Sequence, residues 1–268
     1  MSTFFTTEIA GFQDLEFITV KSKALKKRAD ITVYNPCKGL TNLQSVPLVI
    51  LLHGVYGSHW AWAMKGEVHR SLKQMMDLHQ VSPMILAMPS DGLWGDGSGY
   101  LRHHTEDYER WITEDVIQVM REQFQEVDES SPVFITGLSM GGYGALRLGA
   151  KYPRLFRGFS GLSSITKFEQ FSRFVEDFES LSKSVIERED VLDKLMENRQ
   201  ILPPFRFDCG KEDDLIAANR ELHEALKMQE IEHEYEEYPG DHSWLYWKAH
   251  IGKSLMFFDK IASTPAIN

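Results

Sequence analysis

The sequence has little cysteine, because Cys37 and Cys209 are its only two among 268 residues. Two cysteines cannot form a disulfide framework, and their separation matches no metal-binding motif. Long apolar runs are also missing: the run 46–52 is strand-sized, whereas a membrane-spanning helix needs about 20 apolar residues. The N-terminus lacks the basic start and apolar core of a signal peptide. The sequence therefore predicts a cytoplasmic protein without a membrane segment.

Positive charge is in short supply as well. The chain carries 29 Lys and Arg against 39 Asp and Glu, which gives a net charge of −10. A surface that binds nucleic acid or an anionic membrane needs clustered basic residues, and the one basic run, 21–28, is typical of a solvated turn. We expect a small-molecule substrate and neither of those partners. The sequence leaves the oligomeric state open, with a homo-oligomer as one expectation.

Short apolar runs alternate with helical patterns along most of the chain. The predicted strands are 31–34, 48–52, 84–88, 133–136, 205–208 and 234–238. Helical patterns such as 108–124 and 215–228 lie between them, which predicts a mostly parallel sheet with helices on both faces. The early runs 17–20 and 31–34 are close enough to form an antiparallel hairpin at the sheet edge.

The pattern predicts one domain over residues 1–268, because no repeat or flexible linker divides it. From 165 to 200 the pattern becomes charged, amphipathic and helical. This segment is either a cap over the active end of the sheet or a crossover helix pair without a role in the site.

The motif Gly137-Leu-Ser139-Met-Gly141 follows a predicted strand and precedes a helix rich in small residues. A strand-to-helix turn this tight holds its central residue in a strained conformation and requires glycine two positions away on both sides. Ser139 is therefore the candidate nucleophile. The N–H of Met140, at the start of the helix, is positioned to stabilise an oxyanion.

A second glycine-rich turn, 53–58, follows the strand 48–52. This architecture takes its second oxyanion donor from such a turn, so we expect the N–H of Val55, with Tyr56 as the alternative. His53 comes too early in the chain to be the catalytic base, and a role in shaping the loop by hydrogen bonds to backbone is the better interpretation. Trp60 and Trp62 come next, and each either walls the substrate pocket or belongs to the core.

Another loop at the same end of the sheet, 90–100, contains Trp94 and Tyr100 as candidate substrate contacts. Asp91 and Asp96 in this loop do not have the spacing of an established cation-binding loop. We therefore expect no metal, and a serine hydrolase needs no cofactor.

Ten histidines compete for the role of general base. Only His242 combines a loop position after the last predicted strand with a place downstream of Ser139. From there the imidazole can reach back over the end of the sheet, in the chain order nucleophile, acid, histidine.

The acid should come from the loop after the strand 205–208. Asp208 lies at the end of that strand, which leaves Glu212, Asp213 and Asp214. The helix that begins near Leu215 needs a cap, and aspartate serves well at that position. The residues alone do not distinguish the aspartate that orients His242 from the one that caps the helix.

The chain resembles the putative-esterase (esterase D-like) family of α/β-hydrolases. This family includes tributyrin esterases, S-formylglutathione hydrolases, feruloyl and acetyl-xylan esterases, and mycolyltransferases. The matching stretches are YNP at 34–36, LLHGVYGSHWAW, AMPSDG, EDYERWITEDVIQVMREQF, GLSMGGYGA, CGKEDDLIAANRELHEAL and PGDHSWLYW. The region 165–200 carries no specific match.

The resemblance implies Ser139 as nucleophile, His242 as base and the N–H groups of Val55 and Met140 as oxyanion hole. In tributyrin-esterase-like members the acid is the Asp of a C-G-x-x-D-x-L pattern, which here is Asp213, and this leaves Asp214 as the expected cap of the following helix. The implied function is a serine carboxylesterase for short-chain or aryl esters. An S-formylglutathione hydrolase and an acyltransferase use the same residues, and a non-enzymatic binding protein is the alternative from another class.

Overall fold

The computed structural model of the chain describes residues 7–40 and 43–264. Within them, one sheet is formed by β1 (Thr7–Phe12), β2 (Leu15–Lys21), β3 (Arg28–Tyr34), β4 (Leu48–Leu52), β5 (Ile85–Pro89), β6 (Val133–Leu138), β7 (Gly158–Leu162), β8 (Phe205–Gly210) and β9 (Glu234–Tyr238). The order along the sheet is β1-β2-β3-β5-β4-β6-β7-β8-β9. Strands β4 to β9 are mutually parallel, whereas β1, β2 and β3 are antiparallel to their neighbours.

The helices between the strands are α1 (Ala61–Met64), α2 (Val68–Asp77), α3 (Tyr108–Arg110), α4 (Ile117–Gln123), α5 (Met140–Lys151), α6 (Phe178–Ser184), α7 (Val191–Glu197), α8 (Ile216–Met228) and α9 (Trp244–Ala262). A π-helical stretch, Trp111–Val116, joins α3 to α4, and a 3₁₀ helix spans Phe168–Arg173. The predicted helices at 108–124 and 215–228 are therefore confirmed to within a residue at each end. None of the helices in the described ranges is long and apolar enough to cross a membrane.

The mostly parallel sheet and the antiparallel pairing of β2 with β3 confirm the sequence-based expectations, but the hairpin is not at the edge, because β1 lies outside β2. Two strands were not predicted, the edge strand β1 and the central strand β7. The segment 165–200 connects β7 to β8 and contains the 3₁₀ helix, α6 and α7. Its helical character is as predicted.

The core lies on both faces of the sheet. On β4, Leu48, Ile50 and Leu52 belong to one apolar cluster together with Leu146 of α5. The intervening residues Val49 and Leu51 belong to a second cluster that also contains residues of α9. Side chains alternate between the faces of a strand, so a strand covered on both faces must be apolar throughout. This explains the run LVILL and places the carboxyl ends of the parallel strands at one common edge.

A buried ion cluster ties α5 to the segment 165–200. Arg147 of α5 is fully buried, and its guanidinium donates to Glu109 at 2.5 Å and also to Glu189. Burial by itself would raise the pKa of Glu109, but Arg147 and the neighbouring donors hold that pKa at about 2. Lys151 binds the same two carboxylates. These ion pairs therefore hold α5, the helix after the Ser139 turn, to α3 and to the segment 165–200.

Candidate active site

Ser139 occupies a strained turn between β6 and α5. Its φ of 54° and ψ of −117° lie outside the regions that L-residues favour. A Cβ atom on Gly137 would lie 2.3 Å from the carbonyl oxygen of Gly141, and one on Gly141 would lie 2.2 Å from that of Leu52. The backbone is therefore too close for side chains at both glycines, as the motif predicts.

The side chains of Ser139, His242 and Asp213 form a continuous chain of hydrogen bonds. His242 Nε2 is 3.0 Å from Ser139 Oγ. On the other side of the ring, His242 Nδ1 is 3.0 Å and 2.9 Å from the two carboxylate oxygens of Asp213. The carboxylate is fully buried and the imidazole is 20% exposed. The structure thus brings together three residues that are far apart in the sequence.

The loops that carry His242 and Asp213 are bonded to each other along their backbones. Lys211 N–H donates to the carbonyl of Tyr238 at 2.8 Å, and Glu212 N–H donates to that of Gly240 at 3.1 Å. The Glu212 carboxylate in turn accepts the Gly240 N–H at 2.5 Å. A Cβ on Gly210 would lie 2.1 Å from the Gly240 carbonyl oxygen. These contacts fix the distance between the loops that carry Asp213 and His242, independently of the two side chains.

The other two aspartates near this loop have separate surroundings. Asp208 is fully buried in β8, where it accepts hydrogen bonds from Arg206 at 2.7 Å and Tyr246 at 2.9 Å. Asp214 is exposed. The proposed cap on α8 by Asp214 is wrong: α8 begins at Ile216, after Leu215, without a side-chain cap. Instead, Asp213 itself accepts the Leu215 N–H at 2.8 Å, so one carboxylate both closes the turn and contacts the histidine.

The glycine-rich turn after β4 contains both candidates for the second oxyanion donor, Val55 and Tyr56. Tyr56 N–H donates to the carbonyl of Asp96 at 3.0 Å. Among the described residues, no acceptor binds the N–H of Val55 or that of Met140, the first residue of α5. Val55 lines the same cavity as Ser139. Of the two alternatives, the geometry thus favours Val55 over Tyr56 as the second donor.

His53 shapes this turn, as the sequence indicated. Its ring is buried, with Nδ1 at 2.7 Å from the Gly54 carbonyl oxygen and Nε2 accepting the Asp91 N–H at 3.0 Å. Burial lowers the pKa of His53. A Cβ on Gly57 would lie 2.7 Å from the ring, so the loop is folded tightly around this imidazole.

Above Ser139 lies a cavity of about 440 Å³ whose walls are largely aromatic. Trp60 is 37% exposed and lines the cavity, as expected for a candidate substrate contact. Trp62 belongs to the core, because it is buried and donates its indole N–H to the Leu52 carbonyl at 2.9 Å. Trp244 and Trp247 also line the cavity. These two residues follow His242 closely in the sequence, but no pattern there assigns them to the pocket.

Two of the expected substrate contacts, Trp94 and Tyr100, do not line this cavity. Tyr100 is fully buried, and its hydroxyl donates to the His53 carbonyl at 2.9 Å, so it supports the turn 53–58. Trp94 packs edge-on against His103, with ring centroids 4.9 Å apart. The loop 90–100 is thus directed into the protein at these positions, which corrects the expectation that its aromatic rings reach the substrate.

Phe174, from the segment 165–200, also lines the cavity and stacks on the imidazole of His242. The ring centroids are 5.4 Å apart and the planes are inclined by 24°. The Phe174 carbonyl accepts a hydrogen bond from the Tyr56 hydroxyl at 2.9 Å, and Glu176 N–H donates to Asp96 at 2.7 Å. Sequence reasoning did not identify Phe174, because no local pattern distinguishes it from the neighbouring phenylalanines.

Within residues 7–40 and 43–264, no group of three or more His, Cys, Asp or Glu side chains is arranged to hold a metal ion. Asp91, considered above for a cation loop, accepts N–H bonds from Leu93 and Ser98 within its own loop.

Comparison with known proteins places the chain among esterases. The model of the family described as putative esterase matches residues 22–258. An acetyl esterase of Caldicellulosiruptor saccharolyticus is 28% identical over 271 residues, which cover 91% of this chain and 98% of that protein.

Solved structures with the same architecture include a ferulic acid esterase, with a TM-score of 0.82 and 24% identity over 92% of this chain and 97% of that chain. An S-formylglutathione hydrolase from Agrobacterium tumefaciens has a TM-score of 0.78 and 20% identity, over 96% of this chain and 99% of that chain. These likenesses confirm the predicted α/β-hydrolase fold. Because the family model spans most of the sequence, the expectation of an esterase is also confirmed, and the chain belongs to the putative esterase family.

Proposed function

We propose that this esterase hydrolyses short-chain or aryl carboxylic esters through an acyl-enzyme on Ser139. The observation that carries the proposal is the hydrogen-bond chain from Ser139 Oγ through His242 to the buried carboxylate of Asp213. A nucleophile, a base and an orienting acid within hydrogen-bond reach are what acyl transfer through a serine requires.

In the first half of the reaction, Ser139 Oγ attacks the ester carbonyl carbon while His242 Nε2 takes the hydroxyl proton. The carboxylate of Asp213 accepts a hydrogen bond from His242 Nδ1–H, which fixes the tautomer and stabilises the imidazolium that forms. His242 then donates its proton to the leaving alcohol oxygen as the bond to the acyl carbon breaks.

The N–H groups of Val55 and Met140 are the proposed donors to the tetrahedral oxyanion. Loss of a single donor of this kind typically costs about 10²–10³ in rate. In the second half, His242 deprotonates a water molecule that attacks the acyl carbon, and the acid is released with Ser139 regenerated.

The substrate class is inferred from the cavity. Its volume of about 440 Å³ and its walls of Trp60, Trp244, Trp247 and Phe174 favour a small acyl group or a flat aromatic one. The names of the acetyl esterase and the ferulic acid esterase to which the chain is similar refer to a small acyl group and to an aromatic one. A panel of 4-nitrophenyl esters of graded acyl length, with an aryl ester such as a ferulate added, tests this. We expect kcat/KM to fall steeply beyond short chains, and a preference for long-chain esters would contradict the assignment.

A thioesterase that acts on S-formylglutathione is the second candidate, because the same three residues and the same oxyanion donors serve a thioester. The likeness to an S-formylglutathione hydrolase motivates the comparison. Measuring kcat/KM for S-formylglutathione and 4-nitrophenyl acetate on one preparation distinguishes the two functions. We expect the oxygen ester to be the better substrate, and the reverse order would favour the thioesterase.

We further propose that the segment 165–200 is a cap of the active site within a single domain. The contacts of Phe174 with His242 and Tyr56 support a cap over a plain crossover connection. The cytoplasmic location and the homo-oligomer remain predictions from the sequence.

A further inference from the structure

An exposed lysine side chain, that of Lys65, lines the proposed substrate cavity. Lys65 follows α1 directly and lines the cavity together with Ser139 and His242. Its ammonium group lies 5.9 Å from the ring centroid of Trp60 and 6.0 Å from that of Trp244. These separations are at the outer limit of a cation–π contact, so the two rings hold the ammonium only weakly.

Within the described ranges, no carboxylate forms a salt bridge with Lys65. The acid nearest to it in the sequence, Glu67, is already engaged by Arg70 at 2.7 Å and by Lys248. This edge of the cavity therefore has more positive than negative charge, although the whole chain carries a net charge of −10. An ammonium in that position is available to a ligand.

The surroundings of Lys65 suit a particular kind of ligand. Trp60 and Trp244 provide apolar surface on which the body of a substrate can pack, and Trp244 contacts Trp247, which packs edge-on against His242. A molecule whose ester carbonyl is at Ser139 can thus place a second, charged group near the ammonium.

We propose that Lys65 binds an anionic group of the substrate, so that the enzyme prefers esters carrying a carboxylate on their acyl or alcohol part. This inference rests on the proposed function of the same cavity. The alternative role of Lys65 is to cover the two tryptophan rings with its aliphatic stem. That role predicts no dependence on substrate charge.

The test uses pairs of esters that differ in one charge. For the alcohol part the pair is 3-acetoxybenzoate and 3-acetoxybenzamide. For the acyl part it is the 4-nitrophenyl monoester of adipic acid and the corresponding ester of its monoamide. For each pair, the ratio of kcat/KM for the anionic ester to that for the neutral ester is measured at low and high ionic strength.

With the native enzyme we expect a ratio of about fivefold or more in at least one pair, the size that one partly exposed charge pair provides. Lys65→Met should abolish this preference by lowering kcat/KM for the anionic ester more than for the neutral ester, whereas Lys65→Arg should retain most of the preference. The preference should also shrink at about 0.5 M salt, because screening weakens an exposed pair. Lys73→Met is the matched control: Lys73 pairs with Asp77 on α2, outside this cavity, and its loss changes the net charge equally.

A ratio near one in both pairs, or a preference that survives in Lys65→Met, would overturn the inference. If the neutral esters are still hydrolysed in that case, the proposed esterase function stands. Failure of the native protein to hydrolyse any of the four esters would contradict the proposed function, and this inference with it.

Discussion

Replacing Asp213 with asparagine removes one charge and one acceptor from the site, and the structure predicts where the new amide group would point. The Oδ1 atom of Asp213 accepts the Leu215 N–H at 2.8 Å, while Oδ2 is 2.9 Å from His242 Nδ1. Asparagine has a single side-chain oxygen. The Leu215 N–H requires that oxygen at the Oδ1 position, so the NH₂ group takes the place of Oδ2 and faces the imidazole.

The retained amide oxygen lies 3.0 Å from Nδ1 but already accepts the Leu215 N–H, whereas the NH₂ group lies closer, at 2.9 Å, and favours Nδ1 as its acceptor. The ring proton of neutral His242 then resides on Nε2, which is the atom 3.0 Å from Ser139 Oγ. In this tautomer Nε2 has no free lone pair with which to take the serine proton. We expect kcat to fall by about 10³–10⁴, the cost of the wrong tautomer in a serine triad, with KM little changed because the cavity walls are intact.

The assay is steady-state hydrolysis of 4-nitrophenyl acetate, with thermal unfolding to verify that the variant is folded. Asp214→Asn is the matched control, since it changes the same atoms one residue later on an exposed side chain. It should leave kcat within about twofold and should not lower Tm measurably. Asp213→Asn with kcat within tenfold of the native value, or a larger loss in Asp214→Asn, would refute the assignment of the acid.

The other predictions concern Phe174, which stacks on His242, and the buried ion cluster of Glu109 and Arg147. Phe174→Ala removes the ring stacked on His242 and should lower kcat by about tenfold, because the imidazole is less well oriented. Tyr56→Phe removes only the hydroxyl bond to the Phe174 carbonyl and should cause a smaller loss of kcat. Unchanged kcat in both variants would contradict the positioning role of Phe174. The pKa of Glu109 is about 2 in the folded protein against an ordinary 4.5. The ionised Glu109 carboxylate therefore stabilises the folded protein by about 3 kcal/mol, at about 1.4 kcal/mol per pH unit. This stabilisation is present above pH 4.5 and is lost as the pH falls towards 2. Urea unfolding should show this decline, and Glu109→Gln should flatten it. Arg147→Met removes the buried cation that Glu109 and Glu189 share and leaves them the partly exposed Lys151, so it should lower the free energy of unfolding by about 3–5 kcal/mol. A loss below about 1 kcal/mol would show that the cluster is not stabilising.

Features with a local physical cause were predicted well from the sequence. The strand 48–52 is apolar throughout because both of its faces are covered. The glycines on either side of Ser139 are needed because backbone atoms approach to within 2.3 Å of where their side chains would be. Such constraints act over a few residues and restrict the residue types there, so the local structure can be predicted without knowledge of the fold.

Strand β7 was missed for the opposite reason. Its sequence, GFSGL, has two glycines and no β-branched residue, which is a poor strand signal. A Cβ on Gly161 would lie 2.9 Å from Leu146 of α5, so the small residue is required by the approach of a helix. The fold overrides local propensity at this strand.

The contributions of Phe174 and Lys65 to the cavity depend on tertiary contacts between segments far apart in the chain. The prediction that Asp214 caps α8 was wrong for a different reason. It assumed that capping the helix and orienting His242 require two different residues. In the structure, the Leu215 N–H and the imidazole share the carboxylate of Asp213. An interpretation that gives each residue a single role does not predict a carboxylate with two partners.

The central claim is that Ser139 is the nucleophile, and covalent labelling tests it most directly. The native protein is treated with a fluorophosphonate, its intact mass is measured, and the modified peptide is sequenced. We expect one adduct per chain, located on Ser139, with no labelling of the unfolded protein or of Ser139→Ala, because only the folded site deprotonates this hydroxyl. A folded native protein that is not labelled, or that carries the adduct on a different residue, would contradict the account.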